Sequence, residues 1–388
     1  MIYWFKYYIM NVHERIWRTL SHQEPDRVPT FVQTIEPGFI QKYDDEIEIQ
    51  GMPLMQGIEI QVGKELGLDA KWMHTSGYQA DPKLKPELPQ ELKKKFEGMT
   101  IGADGHVAET RMEDLATSGG SHWYKDGALK TPDLIREWIT YTKTFTYPDS
   151  NYYKQLAHIW TDSIKKDFLP IPTTLGPEYV SWAAIGLDRF AYMMRKYPQE
   201  VADLFMAWAK VSVESQTRMF EAGMDLVFFC DDHCYKDRCM MSPLQFERFA
   251  YPSLKYMADN AHKHGAKIML HSDGYLVEEL PFLIKAGIDA AEPLEYEANN
   301  RLSDIKEKYG DKIAFIGNVA ASDVLSYGTV EETISLTKRC IADAAEGGGY
   351  ILAPGSDVLT TVKPRNILAM IETARKYGTY PIQKDRLK

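Results

Sequence analysis

One local arrangement recurs along this chain and limits what it can fold into. A helical stretch is followed by a glycine, one or two residues, and a short apolar run that ends in polar side chains. It appears in LGLDAKWMH (Gly67), AGMDLVFFCDD (Gly223), HGAKIMLHSDG (Gly265), AGIDAAEPLE (Gly287), YGDKIAFIGN (Gly310) and GGGYILAPGSD (glycines 347–349). Glycine just past a helix suits the left-handed cap, and a short run of β-branched or aromatic residues suits a strand covered on both faces. VPTFVQ from Val28 and FLPIPTT from Phe168 add two more strands, for eight in all. Alternating helices and strands give parallel strands joined by right-handed crossovers. Eight of them predict an α/β protein built as a single (β/α)8 TIM barrel, not an open doubly wound sheet. No Gly-x-Gly-x-x-Gly follows an early strand, so the dinucleotide reading lacks its phosphate cradle.

Two segments stand outside the alternation. HERIWRTLSHQ (13–23) reads as an amphipathic helix that closes one barrel mouth. GMTIGADGHVAETRMED followed by GGSHWYKDGALKTPDL reads as a hairpin excursion, with turn signals at Asp104-Gly105 and Asp126-Gly127. The start, MIYWFKYYIM, is apolar but short and lacks a small-residue cleavage site, so residues 1–11 read as an extension and 12–388 as one domain. Lys and Arg number 45 against 55 Asp and Glu, a net charge of −10. With no basic block, nucleic acid and anionic membrane surfaces are poor partners. No apolar run approaches the ~20 residues of a membrane span. Four cysteines (230, 234, 239, 340) are too few and too clustered for a disulfide framework, which points to a reducing cytoplasm.

In such a barrel, catalytic groups sit at the carboxyl ends of the strands. That rule selects Gln33 and Glu36; Trp72 and His74; Asp231, Asp232 and His233; His271 and Asp273; Glu292 and Glu295; Asn318; and Ser356 and Asp357. Carboxylates and imidazoles with almost no Lys or Arg suit metal binding or acid–base work better than phosphate holding. His271 and Asp273 are the strongest pair, because residues two apart leave a strand on one side. His74 also reads as a strand-end cap, and Asp231-Asp232 as acceptors for loop amides. Glu292 and Glu295 cannot both face the lumen from an extended segment, and Glu295 is preferred. Cys-x3-Cys-x4-Cys lacks paired CxxC spacing and reads as buried free thiols. The expected catalytic set is His271, Asp273, Asp231, Asp232 and His74. Gln33, Trp72, Tyr275 and Asn318 are expected to bind substrate, and His271, Asp273 and Glu295 to hold a metal.

HERIWRTLSHQEPDRVP, DDHCYKDRCMMSPLQFERFAYPSLKYM, HGAKIMLHSDGYLVEELPFLIKAGIDAAEPLE, KEKYGDKIAFIGNV and YILAPGSDVLTTVKPRNILAMIETARKYG together resemble the uroporphyrinogen decarboxylase superfamily, over about residues 12–380. The resemblance implies one (β/α)8 barrel with an active cleft at the strand carboxyl ends. Departures from the family's patterns separate its branches. True decarboxylases carry an arginine-bearing stretch after the first strand that grips the porphyrinogen carboxylates, whereas VPTFVQTIEPGFIQKY has no arginine. The branch that methylates thiols such as coenzyme M holds zinc with His-x-Cys and a later Pro-Gly-Cys. Here those positions read His271-Ser272-Asp273 and Pro354-Gly355-Ser356, so both thiolates are replaced by oxygen-bearing side chains.

The remaining branch moves a methyl group from a donor to a corrinoid protein, as the methyltransferase component of an O-demethylase. It implies a small methoxylated donor and a Lewis acid or proton donor at the ether oxygen. His271, Asp273, Asp231, Asp232 and Glu295 would serve as that acid or hold a divalent ion, zinc being one that accepts histidine and carboxylates. Trp72, Tyr78, Trp123, Tyr124, Tyr179, Trp182, Tyr235 and Tyr275 favour an aromatic donor, although residues of this kind also build cores. The corrinoid is expected on a partner protein. The cobalamin signature Asp-x-His-x-x-Gly is approached by residues 231–236 but ends in Lys236. Relatives also imply a homodimer. Thiol methylation, a different decarboxylation and non-enzymatic tetrapyrrole binding are the competing readings.

Overall fold

The computed structural model describes residues 10–44, 52–75, 77–110 and 122–387. Residues 1–9, most of the expected extension, lie outside them. Eleven strands are present among the described residues: β1 (Phe31–Val32), β2 (Ala70–His74), β3 (Thr100–Ile101), β4 (His106–Thr110), β5 (His122–Gly127), β6 (Leu169–Leu175), β7 (Leu226–Cys230), β8 (Lys267–His271), β9 (Ala290–Glu292), β10 (Ala314–Val319) and β11 (Tyr350–Pro354). Eight pair in chain order as β1-β2-β6-β7-β8-β9-β10-β11, every neighbour parallel. Parallel bridges from Thr30 to Leu352 and from Ile35 to Val358 bring β11 back to the β1 segment. The expected (β/α)8 barrel is therefore present, with all eight strands where the apolar runs placed them.

Local chemistry explains the boundaries. Proline stands in the first turn of the helices Pro132–Thr142, Pro177–Ile185, Pro198–Glu221, Pro243–Lys263 and Pro364–Tyr377, where its missing N–H costs nothing. Ser242 with Gln245 and Thr329 with Glu332 form capping boxes. Gly287 ends the helix Leu280–Ala286 in the left-handed region at φ +93°. Gly310 departs from expectation: it continues in helical geometry at φ −66° after the helix Leu302–Tyr309.

The helix Val12–Leu20, capped by the Asn11 side chain, closes the amino-terminal mouth. Its buried Arg15 donates to Asp69, just before β2, at 2.8 Å and to Asp26 at 2.7 Å. His13 Nε2 lies 2.8 Å from Asp225, just before β7. The excursion is larger than a hairpin. β3, β4 and β5 form a three-stranded antiparallel sheet, and its β4–β5 connection lies outside the described residues. Asp104-Gly105 is the β3–β4 turn as expected. Asp126-Gly127 instead ends β5, where a Cβ on Gly127 would stand 2.2 Å from the Ala184 carbonyl oxygen.

Candidate active site

Strand alternation builds the site in two layers. Phe31, Trp72 and Phe228 meet in the lumen, with ring centroids 5.2 Å apart for Phe31–Phe228 and 5.9 Å for Trp72–Phe228. Residues two further along each strand point the same way, so Gln33, His74 and Cys230 sit above this aromatic floor. His271 joins them at the end of β8, its ring edge-on to Trp72 at 4.8 Å.

His271 is the hub. Its Nδ1 lies 2.7 Å from Glu292 Oε2, and Gln33 Nε2 donates to the other oxygen of Glu292 at 2.7 Å. Its Nε2 faces Asp232 Oδ1 at 3.6 Å and Asp273 Oδ1 at 4.0 Å, too far for hydrogen bonds. Burial opposes the imidazolium, but Glu292, Asp273 and Asp232 outweigh it and raise the His271 pKa to about 10. Burial, reinforced by the neighbouring carboxylates against His271, lifts Asp273 to about 7.

Three facts fit a divalent ion among these side chains. Ligand atoms from Asp232, His271 and Asp273 all lie within 4.8 Å of one another. Asp273 Oδ1 is buried without a hydrogen-bond partner. Glu292 fixes the imidazole from behind, as carboxylates commonly do for metal-ligating histidines. Metal binding requires a neutral imidazole, so Nε2 serves either as ligand or as acid.

The remaining expected residues divide. His74 lines an adjoining cavity; burial, then Lys71, lowers its pKa. Asp231 is turned away from His271. Its Oδ1 accepts the Tyr179 N–H at 2.5 Å, and its Oδ2 lies 3.0 Å from Nε2 of the fully buried His233. Glu295, expected as a ligand, lies outside the cluster and accepts the Gly274 N–H at 3.2 Å; Glu292 is the carboxylate that reaches His271. Asn318 is committed to structure, its amide donating to the Leu294 and Asn300 carbonyls. Tyr275 is not among the residues lining the cavity. Asp357 Oδ1 accepts from the Thr34 hydroxyl at 2.5 Å, and Glu36 from the Thr360 N–H.

Sequence reasoning passed over Glu178 and Glu279, which enclose His233 with Asp231. His233 Nδ1 lies 2.8 Å from Glu279 Oε2, and its Nε2 lies 3.7 Å from Glu178 Oε2. Burial, joined by Glu279 and Asp231 against the pull of His233, pushes Glu178 well above the carboxylate range. Glu178 stands three residues past β6, so the strand-end rule applied there would have found it.

The cavity beside the cluster has a volume of about 460 Å3 and is walled by Trp72, Tyr78, Tyr179, Leu175 and Val211, with no Lys or Arg among the described residues of its lining. Of the eight aromatic candidates, Trp72, Tyr78 and Tyr179 line it. Tyr124 and Trp182 pack edge-to-face on each other, and Trp123 and Tyr235 are exposed.

A (β/α)8 barrel carrying a histidine–carboxylate cluster at its carboxyl mouth is the class of protein that fold and site define. Residues 147–377 match the model of the family described as Uroporphyrinogen decarboxylase (URO-D). The chain belongs to that family and is an enzyme of it. Methylcobamide:CoM methyltransferase MtaA from Methanosarcina barkeri is 24% identical over 186 residues, covering 47% of this chain and 52% of that protein. The chain thus spans about half the length of that curated relative. A methyltransferase from Methanosarcina mazei superposes with a TM-score of 0.65 at 19% identity, covering 95% of this chain and 99% of the other, a likeness of fold. Among the described residues no helix is long and apolar enough to cross a membrane.

Proposed function

We propose that this chain is a methyltransferase that takes the methyl group of a small methoxylated, aromatic donor and passes it to the cobalt of a corrinoid carried by a partner protein. The observation that carries this reading is the His271–Asp232–Asp273 cluster, backed by Glu292, beside an aromatic cavity without cations. The reduced corrinoid supplies the nucleophile for the methyl carbon, and everything else falls to this chain. Trp72, Tyr78 and Tyr179 give the cavity aromatic walls, and its volume of about 460 Å3 admits a substituted ring. As the methyl carbon–oxygen bond breaks, its electron pair stays on oxygen, and phenoxide leaves poorly unless that charge is met. With the imidazolium form, His271 Nε2 gives its proton to that oxygen and the product leaves as the phenol. A divalent ion such as zinc, held by His271, Asp232 and Asp273, would supply Lewis-acid stabilisation at the same oxygen. Cytoplasmic location and assembly as a homodimer belong to the same proposal.

Incubating the protein with reduced corrinoid protein and methoxyarenes, uncharged methoxyphenols as well as methoxybenzoates, is expected to convert the cobalt(I) spectrum to that of the methylated form, with one phenol released per methyl moved. No conversion with any methyl ether would overturn the donor class. The likeness to a methylcobamide:CoM methyltransferase favours a second reading, transfer from methylcorrinoid to a thiol. Against it stand Asp273 and Ser356 at the positions where that branch carries thiolates. Rapid demethylation of methylcobalamin by coenzyme M, without ether cleavage, would favour it. A porphyrinogen decarboxylase is disfavoured by the cavity, whose described lining has no Lys or Arg to meet the substrate's carboxylates; Arg15 and Arg27 bind Asp69 at the opposite mouth.

A further inference from the structure

We propose that the loop after β7 carries a second, buried cation site for a thiophilic divalent ion of the zinc class, formed by Cys234, Cys239 and Glu279. The loop doubles back as a short hairpin. The Tyr235 N–H donates to the Arg238 carbonyl at 2.7 Å and the Met240 N–H to the His233 carbonyl at 2.8 Å, so Cys234 and Cys239 face each other as the pair between those two bonds. In an antiparallel ladder that is the narrow, non-hydrogen-bonded position, where side chains come closest on one face. Glu279 approaches from the turn before the helix Leu280–Ala286. The two sulfurs and a carboxylate oxygen lie within 4.8 Å of one another, against the ~3.5–3.8 Å between ligands that tetrahedral zinc would set with ordinary Zn–S and Zn–O bonds.

A second observation points to a ligand here. Glu279 is 2% exposed, and while His233 Nδ1 holds its Oε2 at 2.8 Å, Oε1 has no hydrogen-bond partner. A buried carboxylate oxygen without a donor calls for a proton or a cation. The hairpin begins two residues after Asp232. It is also tied to the loop that carries Asp273: the Tyr275 N–H donates to the Tyr235 carbonyl at 2.8 Å, and Cys239 Sγ lies 3.4 Å from the Tyr275 carbonyl. An ion here would clamp together the two loops that present Asp232 and Asp273.

The test uses cobalt(II) as the probe. Titration into the reduced, metal-free protein is expected to give thiolate-to-cobalt charge-transfer absorption in the near ultraviolet, saturating by about two equivalents in the wild type and at about one in His271→Ala, where the other cluster is lost. His271→Ala keeps that band, because a site of imidazole and carboxylates contributes no sulfur transition, whereas Cys239→Ser and Cys234→Ser lose it. A wild-type protein with no such band at excess cobalt overturns the proposal without recourse to any variant. So does a band that survives both serine substitutions in folded protein, as judged by thermal melting. Titration of the denatured, unreduced protein should count four free thiols; two thiols with no bound metal would make the pair a disulfide and overturn the site. None of these readouts depends on methyl transfer, so the ether assay stands or falls separately.

Discussion

Glu292 touches His271 only at Nδ1, yet it decides what Nε2 can do. A charged acceptor behind the ring fixes the tautomer and raises the basicity of the far nitrogen. Glu292→Gln keeps the shape and removes the charge, so it is expected to weaken binding of a divalent ion at the His271 cluster by roughly 10–100-fold. Competition against a chelator of known affinity measures this, with Cys239→Ser as the background so that only one site reports. Glu295→Gln, three residues on, should shift the same affinity by less than about twofold, because it lies outside the cluster. An equal loss in both variants would mean that general acidity rather than this contact holds the ion. The same two residues mark where the sequence stopped being legible. Alternation orders side chains only while the chain stays extended. β9 ends at Glu292 and Leu294 takes φ +49°, so the spacing no longer tells which carboxylate faces the lumen. Asn318 was found as a strand-end residue, but an amide that could greet a substrate is identical in sequence to one committed to two carbonyls of the same chain.

At the amino-terminal mouth the first helix is held by charge as well as by its apolar face. Asp69, with no exposed side-chain surface, accepts from Arg15 at 2.8 Å, from Arg27 at 2.6 Å and from the Thr30 N–H at 2.8 Å. Asp69→Ala leaves the buried Arg15 short of its counter-charge and is expected to cost ~3–5 kcal/mol, seen as a lower denaturant midpoint at unchanged slope. Asp26, on the rim of the same network, responds to pH. Burial works against its charged form, yet hydrogen bonding and attraction from Arg15 prevail and hold its carboxyl below the usual value. A carboxyl depressed in the folded state contributes stability above its unfolded pKa, near 4, and that contribution is lost as pH falls through the folded value. The melting temperature of the wild type should therefore fall more steeply below pH 4 than that of Asp26→Asn, by an amount worth about 1 kcal/mol or less because the group is a third exposed. Parallel curves would remove Asp26 from the account. Elements of this kind were largely readable, since eight apolar runs behind helix ends admit few topologies. The excursion was less so. β3 has two residues, too few for any periodicity, and Gly127 marks a close backbone approach to Ala184, not a turn.

Taken whole, the molecule is closed at one mouth and open at the other. The helix Val12–Leu20 covers the amino-terminal end, so the corrinoid of the proposed partner would reach His271 only across the carboxyl-terminal rim. Two large side chains stand out there: Tyr235, 47% exposed on the hairpin after β7, and Tyr327, 69% exposed in the segment after β10. Neither lines the cavity, so neither is placed to hold the donor, whereas exposed tyrosines around a mouth are what a docking surface commonly uses. Under the proposed function, Tyr327→Glu and Tyr235→Glu should each raise the concentration of corrinoid protein needed for half-maximal rate by about tenfold, ~1.4 kcal/mol, with the melting temperature unchanged. The same variants should turn over free reduced cobalamin at the wild-type rate, because a small cofactor needs no protein interface. Tyr256→Glu, 40% exposed on the outer helix Pro243–Lys263, serves as the control and should alter neither. A rim variant that slows the free cofactor and the protein-bound one alike would place these tyrosines in the chemistry instead. If corrinoid-protein kinetics were indifferent to both substitutions, the partner would have to engage another part of the rim, such as the exposed edge around Leu175 at the end of β6.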